Sequence, residues 1–360
     1  MHRSPFLVAA IAAVSLVACS DRDDPAGPVF DGRPASAALA RASVDHDLII
    51  RDVTLPGVGP VDLHGRVYVD EARAASSCEN HTGVAVHGYA HTAATMAGFA
   101  EALFDAPSEG VCRLVALDFP GRGGSGAGAA GAFSGLALEH YVAALLGALE
   151  RLPAYGIEPR LLVGHSQGGL VIQMAQNALV AAGTGLRERF GIREVALLAP
   201  VPAQPVDWAF AGAAVGLLQA FGTFTPELGV HIRIPDGVWP GLFFVSPAGQ
   251  PAAGIPSLHQ VVARGYNAPE PLTSSFQLVT QRPAVAAGIF AVAHGTRLRI
   301  VGFEQDVLVR PAELAQLFDH LTAGAPGGGR IGTVTGPEAV HDMYISSPRA
   351  AIGLMQDLVP

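Results

Sequence analysis

The stretch Val163-Gly164-His165-Ser166-Gln167-Gly168-Gly169 decides how this chain is read. It follows a strand-like run at 160–163 and opens a helix-like stretch at 167–182, which places a G-x-S-x-G between strand and helix, the context that motif requires. The turn is so tight that side chains near the serine would clash, and its strained backbone holds the Ser166 hydroxyl out above the sheet edge. The helix that follows brings a positive end close to any oxyanion that develops there. A serine that merely caps a helix is the competing explanation of the same residues.

Outward from this point the chain alternates. Short apolar runs at 83–86, 113–118, 160–163, 194–198, 298–301 and 330–334 read as buried parallel strands, and helix-like stretches at 93–103, 136–152, 167–182, 311–321 and 347–358 lie around and between them. Two β-rich segments, 47–55 and 61–69, precede the alternation, with Pro56-Gly57 and Gly59-Pro60 as turn chemistry between them. The pattern predicts an α/β fold with a doubly wound, mostly parallel sheet. One connection, 203–297, is far too long for a strand-to-helix loop and holds both tryptophans, Trp208 and Trp239. It is expected to be a lid or cap. Its aromatic residues either suit an apolar acyl or alcohol group or build the insertion's own core. The expected organisation is 1–18 signal peptide, 19–45 flexible tether, 46–202 and 298–360 the two parts of the core, and 203–297 the insertion.

Composition removes several classes. All 22 basic residues are arginine, so chemistry that needs a lysine (a Schiff base, a Walker P-loop, a kinase phosphate lysine) is excluded. A formal charge of -9 offers nucleic acid no general attraction. No H-E-x-x-H occurs and the histidines are scattered, so the reading includes neither a metal nor a cofactor. Gly121-x-Gly123-x-x-Gly126 formally matches a dinucleotide fingerprint, but the Ala-Gly-Ala-Ala-Gly that follows is a poor helix start for a pyrophosphate.

The residues quoted so far, together with two further motifs, resemble the α/β-hydrolase superfamily from about Asp47 to the C-terminus, the insertion excepted. Gly164–Gly169 looks like the nucleophile elbow of lipases and esterases, Val86-His87-Gly88-Tyr89 resembles the strand-end H-G-x of the family's oxyanion loop, and Asp118-Phe119-Pro120-Gly121-Arg122-Gly123-Gly124-Ser125 is similar to its D-x-P-G-x-G-x-S turn. The family order of serine, acid and histidine implies Ser166 as nucleophile and His341, in Val340-His341-Asp342-Met343-Tyr344, as base. The acid matches Asp306, with Glu304 as the alternative two residues away. The resemblance implies an oxyanion hole from the backbone N–H groups of Gln167 and Tyr89. His87 and His165 are expected to brace loops, and Asp342 to be a solvated loop acid.

The expected activity is therefore hydrolysis of a carboxylic ester, apolar in character, through an acyl-enzyme on a Ser-His-Asp triad. The alternatives are another acyl-transfer, amide, thioester or carbon–carbon hydrolase, or a surface lipoprotein that keeps the fold without catalysis. A serine at the elbow disfavours the epoxide hydrolases and haloalkane dehalogenases, which use aspartate there.

At the N-terminus, Met1-His2-Arg3 precedes an apolar run, Phe6 to Val17, too short to span a bilayer and of signal-peptide character. Leu16-Val17-Ala18-Cys19 resembles the lipobox of bacterial lipoproteins, which implies cleavage before Cys19, acylation of that residue and, with Ser20 following, an outer-membrane destination. An ordinary signal cut near Ala18, leaving a periplasmic or secreted protein, is the alternative. The segment after it is rich in Asp, Pro, Gly, Ala and Arg without periodicity, as a tether is. The two other cysteines, Cys78 and Cys112, each stand just before an expected core strand. In an exported protein they either form a disulfide, worth about 3–4 kcal/mol in the chain-entropy model, or remain buried thiols.

Overall fold

The computed structural model describes residues 43–70, 82–106, 110–129, 132–212, 222–225, 229–232, 268–324, 328–336 and 339–357. The signal peptide, Cys19, Cys78 and about half of the expected lid lie outside these residues. Among the described residues no helix is long and apolar enough to cross a membrane.

Eight strands form one sheet: β1 (Ser43–Leu55), β2 (Gly59–Asp70), β3 (Thr82–Val86), β4 (Arg113–Leu117), β5 (Pro159–His165), β6 (Glu194–Leu198), β9 (Arg297–Phe303) and β10 (Gly329–Val334). A separate hairpin, β7 (Gly222–Thr225) with β8 (Gly229–Ile232), falls within the insertion. The sheet order is β1-β2-β4-β3-β5-β6-β9-β10. β1 and β2 pair antiparallel, β2 pairs antiparallel with β4, and every pairing from β4 to β10 is parallel. This is the mostly parallel, doubly wound sheet expected from the alternation.

The apolar runs are continuous because helices cover both faces, and the period of two sorts each strand between them. Val84, Val86, Val115, Leu117, Leu162, Val195 and Leu197 belong to one core cluster with α2 (Leu138–Arg151) and α3 (Gln167–Ala181). Their alternates Ala85, Leu114, Ala116, Leu161, Val163, Ala196 and Leu198 belong to the other, with α1 (Ala97–Phe104) and the C-terminal helix. Beyond α3 lie the short α4 (Leu186–Phe190), α5 (Leu272–Thr280) at the end of the insertion, and α6 (Pro311–Thr322) after β9. The helix expected at 347–358 is α8 (Pro348–Asp357), and a short α7 (Met343–Ser346) that was not expected precedes it and stays separate from it. Pro348 is the reason: a proline biases the residue before it away from the helical region, and Ser347 sits at φ −141°.

The chain runs from β3 outward to β4 and then crosses back to β5 on the other side of β3. In open α/β sheets the crevice beyond the strand C-termini at such a reversal is where ligands bind. The loop after β3 carries His87-Gly88-Tyr89, and β5 ends at His165.

Candidate active site

Ser166 joins β5 to α3 at φ +49°, ψ −114°, a conformation rarely adopted by a residue with a Cβ. Neighbouring backbone holds it there: the Ser166 N–H donates to the Leu198 carbonyl at 3.0 Å and its own carbonyl accepts from the Val201 N–H at 3.0 Å. The surrounding glycines are required by space. A Cβ on Gly168 would stand 2.6 Å from the carbonyl oxygens of both Val86 and His87, and one on Gly169 would stand 2.5 Å from Pro200 Cβ. On Gly164 it would meet Ile172 Cδ1 at 2.6 Å.

Three elements far apart in sequence then meet. The His341 Nε2 lies 3.0 Å from Ser166 Oγ, and the His341 Nδ1 lies 2.8 Å from Asp306 Oδ2. A carboxylate accepts, so the proton sits on Nδ1, and Nε2 presents its lone pair to the serine hydroxyl. Asp306 follows β9 and is itself fixed, since its Oδ1 accepts the N–H groups of Leu308 at 2.7 Å and Val309 at 2.9 Å. All three residues are buried. Glu304, the alternative acid, is exposed and its carboxylate accepts from the Gly336 N–H at 3.0 Å. Burial pulls the His341 pKa down, but the charge and hydrogen bond of Asp306, with the charge of Asp342, outweigh it and hold the value above that of an ordinary histidine.

Against the serine runs the loop after β3. A Cβ on Gly88 would stand 2.7 Å from His165 Nδ1 and 3.3 Å from Ser166 Cβ, so only a glycine lets this loop approach so closely. The Gly88 carbonyl accepts from His87 Nδ1–H at 2.9 Å and from the His91 N–H at 3.4 Å. In a trans peptide the N–H points opposite to the C=O, so these bonds also fix the direction of the Tyr89 N–H. The Tyr89 hydroxyl lies 3.0 Å from Ser275 Oγ in α5.

The two histidines expected as braces are braces. His87 donates to Gly88 and its Nε2 accepts the Phe119 N–H at 3.2 Å, and burial with the nearby Arg122 charge lowers its pKa to about 4. His165 donates from Nε2 to the His341 carbonyl at 3.0 Å, tying the elbow to the loop that carries the other histidine. Asp342 corrects the sequence reading. It is fully buried, with its Oδ1 3.5 Å from His165 Nε2 and 3.8 Å from His91 Nε2. Periodicity is silent in a loop, and the histidines that enclose this acid come from two other segments. His91, His165 and Asp342 each offer a metal-ligand atom, all within 4.8 Å of one another. The Nε2 of His165 is committed as a donor, however, and presents no lone pair to an ion in this arrangement.

The D-x-P-G-x-G-x-S turn is structural. Asp118 accepts from the Ala93 N–H at 2.6 Å, the Gly124 N–H at 3.1 Å and His64 Nδ1 at 2.6 Å, and Ser125 Oγ donates to the Asp118 carbonyl at 2.8 Å. Arg122 of this turn forms a fully buried ion pair with Glu270. The sequence offers no sign of that pair, because Glu270 lies inside the insertion. Cys112 is disulfide-bonded.

Residues 84–352 match the model of a family described as the alpha/beta hydrolase family. No curated protein matches the chain. Among solved structures, it is similar to a thermophilic esterase from Thermogutta terrifontis at 14% identity, over 86% of this chain and 98% of that one, with a TM-score of 0.53. A membrane phospholipase A described as a bacterial virulence factor aligns at 15% identity, over 98% of this chain and 91% of that one, with a TM-score of 0.57. The 2-hydroxy-6-oxo-6-phenylhexa-2,4-dienoate hydrolase of Rhodococcus sp. strain RHA1 aligns at 17% identity, over 87% and 99%, also at 0.57. Likeness at such identities speaks to the fold, which these enzymes of different chemistry share.

Proposed function

The chain belongs to the alpha/beta hydrolase family, and from that premise we propose that it is a serine hydrolase that cleaves carboxylic esters through an acyl-enzyme on Ser166. The observation that carries this reading is the buried chain from Ser166 Oγ through the His341 imidazole to Asp306, at 3.0 and 2.8 Å. In the first step the His341 Nε2 takes the hydroxyl proton as Ser166 Oγ attacks the ester carbonyl. Asp306 keeps the Nδ1 proton in place and stabilises the imidazolium. The N–H groups of Tyr89 and Gln167 receive the oxyanion, the latter from the first turn of α3. Collapse expels the alcohol, protonated from His341. A water then repeats the cycle on the acyl-enzyme and releases the acid.

The aromatic insertion supports an ester of apolar character, which makes the protein an esterase or a lipase. The test is labelling by a fluorophosphonate probe, wild type beside Ser166→Ala, followed by turnover of p-nitrophenyl esters from C2 to C12. Labelling that depends on Ser166, with a chain-length preference in turnover, is the expected result. A folded wild type that neither takes the label nor turns over any ester overturns the reading.

We place the protein outside the cytoplasm, held to the outer membrane by acylated Cys19, on the strength of the N-terminal sequence. Detergent-phase partitioning that persists in Cys19→Ala is incompatible with that anchor. For the disulfide of Cys112 the proposed partner is Cys78, and mass mapping of unreduced peptides decides it.

A further inference from the structure

The oxyanion loop is not held by the core alone. Ala90, the residue after the proposed donor Tyr89, adopts φ +59°, a left-handed conformation that a non-glycine residue keeps only when its surroundings impose it. Both of its backbone groups are engaged by one segment, the stretch that returns from the insertion. The Ala90 N–H donates to the Glu270 carboxylate, and the Ala90 carbonyl accepts from the Ala268 N–H at 2.8 Å. Glu270 is fixed in turn by the Arg122 guanidinium, which also donates to the His91 carbonyl at 3.2 Å and reaches the Tyr141 hydroxyl at 3.4 Å. The Arg122 and Glu270 side chains are 0% and 1% exposed, so this charge pair is shielded from water and tightly localised.

The Ala90 N–H belongs to the peptide that immediately follows Tyr89. Holding that peptide from one side, while His87 and the His91 N–H hold the Gly88 carbonyl from the other, fixes the rotation of Tyr89 and the aim of its own N–H. A peptide that turns away removes a donor from the oxyanion. We propose that Glu270 is a positioning residue: through the Ala90 N–H it sets the oxyanion-hole donor of Tyr89, so the returning end of the insertion controls the competence of the site. The inference rests on the acyl-enzyme reading of Ser166 and deepens it.

A buried ion pair also staples structure, so the test separates the hold on Ala90 from the charge pair. R122M/E270Q removes both charges but keeps a side-chain oxygen for the Ala90 N–H, whereas R122M/E270M removes the acceptor as well. We expect R122M/E270M to lose about 30–100-fold in kcat with KM within about twofold, short of the roughly 100–1,000-fold for outright loss of a donor. R122M/E270Q rescues most of that loss, although the melting temperatures of the two variants agree. Equal kcat in the two variants, with Ser166 still labelled by the fluorophosphonate, overturns the positioning role and leaves the acyl-enzyme reading intact. A wild type that takes no label removes the ground for both. Should R122M/E270M not fold, R122M/E270L replaces it as the variant without an acceptor for the Ala90 N–H. A severalfold lower kcat at unchanged KM in R122M/E270L than in R122M/E270Q then supports the proposal, and equal kcat in the two overturns it.

Discussion

Asp306 shows how much of the site is decided by single protons. Its Oδ1 is spent on the Leu308 and Val309 N–H groups and its Oδ2 faces His341. In Asp306→Asn the amide oxygen keeps the two backbone donors, which leaves the NH₂ pointing at Nδ1. The imidazole must then carry its proton on Nε2, where it cannot take one from Ser166. We predict a loss of about 10⁴ in kcat with little change in KM, by analogy with the same exchange in a serine protease. The second consequence concerns pH. His341 works as a base only when neutral, and its pKa is held above the ordinary value of 6.5, so the rising limb of kcat/KM against pH falls above that value. Asp342 contributes to the upward shift, and Asp342→Asn is expected to move the limb to lower pH. An unmoved limb in that variant means that the neighbouring charge is not felt at His341.

At the scale of elements, the elbow is a packing problem before it is a chemical one. Gly168 lies in the first turn of α3 against two backbone carbonyls of the β3 end, atoms that cannot swing aside as a side chain can. Gly168→Ala is predicted to cost about 1–3 kcal/mol and to push the oxyanion loop off the serine, so that both melting temperature and kcat fall. Gly353, in α8, has nothing within 4 Å of its Cβ position. There the same exchange should stabilise by about 0.5–1 kcal/mol and leave turnover alone, since alanine is the better helix former. The elbow, the β3 loop and the β9 end were legible because each is a short local pattern on a strand end. α4, α5 and the strands of the β7–β8 hairpin were not, since each is only four to nine residues long, too short for a periodic pattern to stand out.

Across the whole molecule, His64 ties the antiparallel edge to the parallel centre, with Nε2 on Asp47 of β1 at 3.0 Å and Nδ1 on Asp118 after β4 at 2.6 Å. Burial lowers its pKa, but hydrogen bonds and charge from Asp118 and Asp47 prevail and raise it. A raised folded pKa means that the protonated form is bound more tightly in the native state. The stabilisation is therefore complete below the unfolded value of about 6.5 and is lost as pH rises through the folded one. We expect the melting-temperature difference between wild type and His64→Gln to be largest near pH 5.5 and to shrink toward pH 9. A difference that is flat over that range would falsify the linkage.

By itself the sequence determined the sheet's strands and the elbow, and it narrowed the triad chain to Ser166, His341 and one of two neighbouring acids. The physical reason is that each rests on local rules: a period of two or 3.6, a glycine where no Cβ fits, an acid or a histidine just past a strand end. Only the tertiary structure decided between Asp306 and Glu304, because the choice depends on which carboxylate the chain carries inward to His341 and which it leaves on Gly336. The same holds for Asp342, which reads as a loop acid and is buried between His91 and His165. Glu270 and Arg122 are a stronger instance, since charges that far apart along the chain meet only once the sheet and the insertion have folded around them. A buried charge is stable only beside its partner, and that partner is chosen by packing, which no local pattern records.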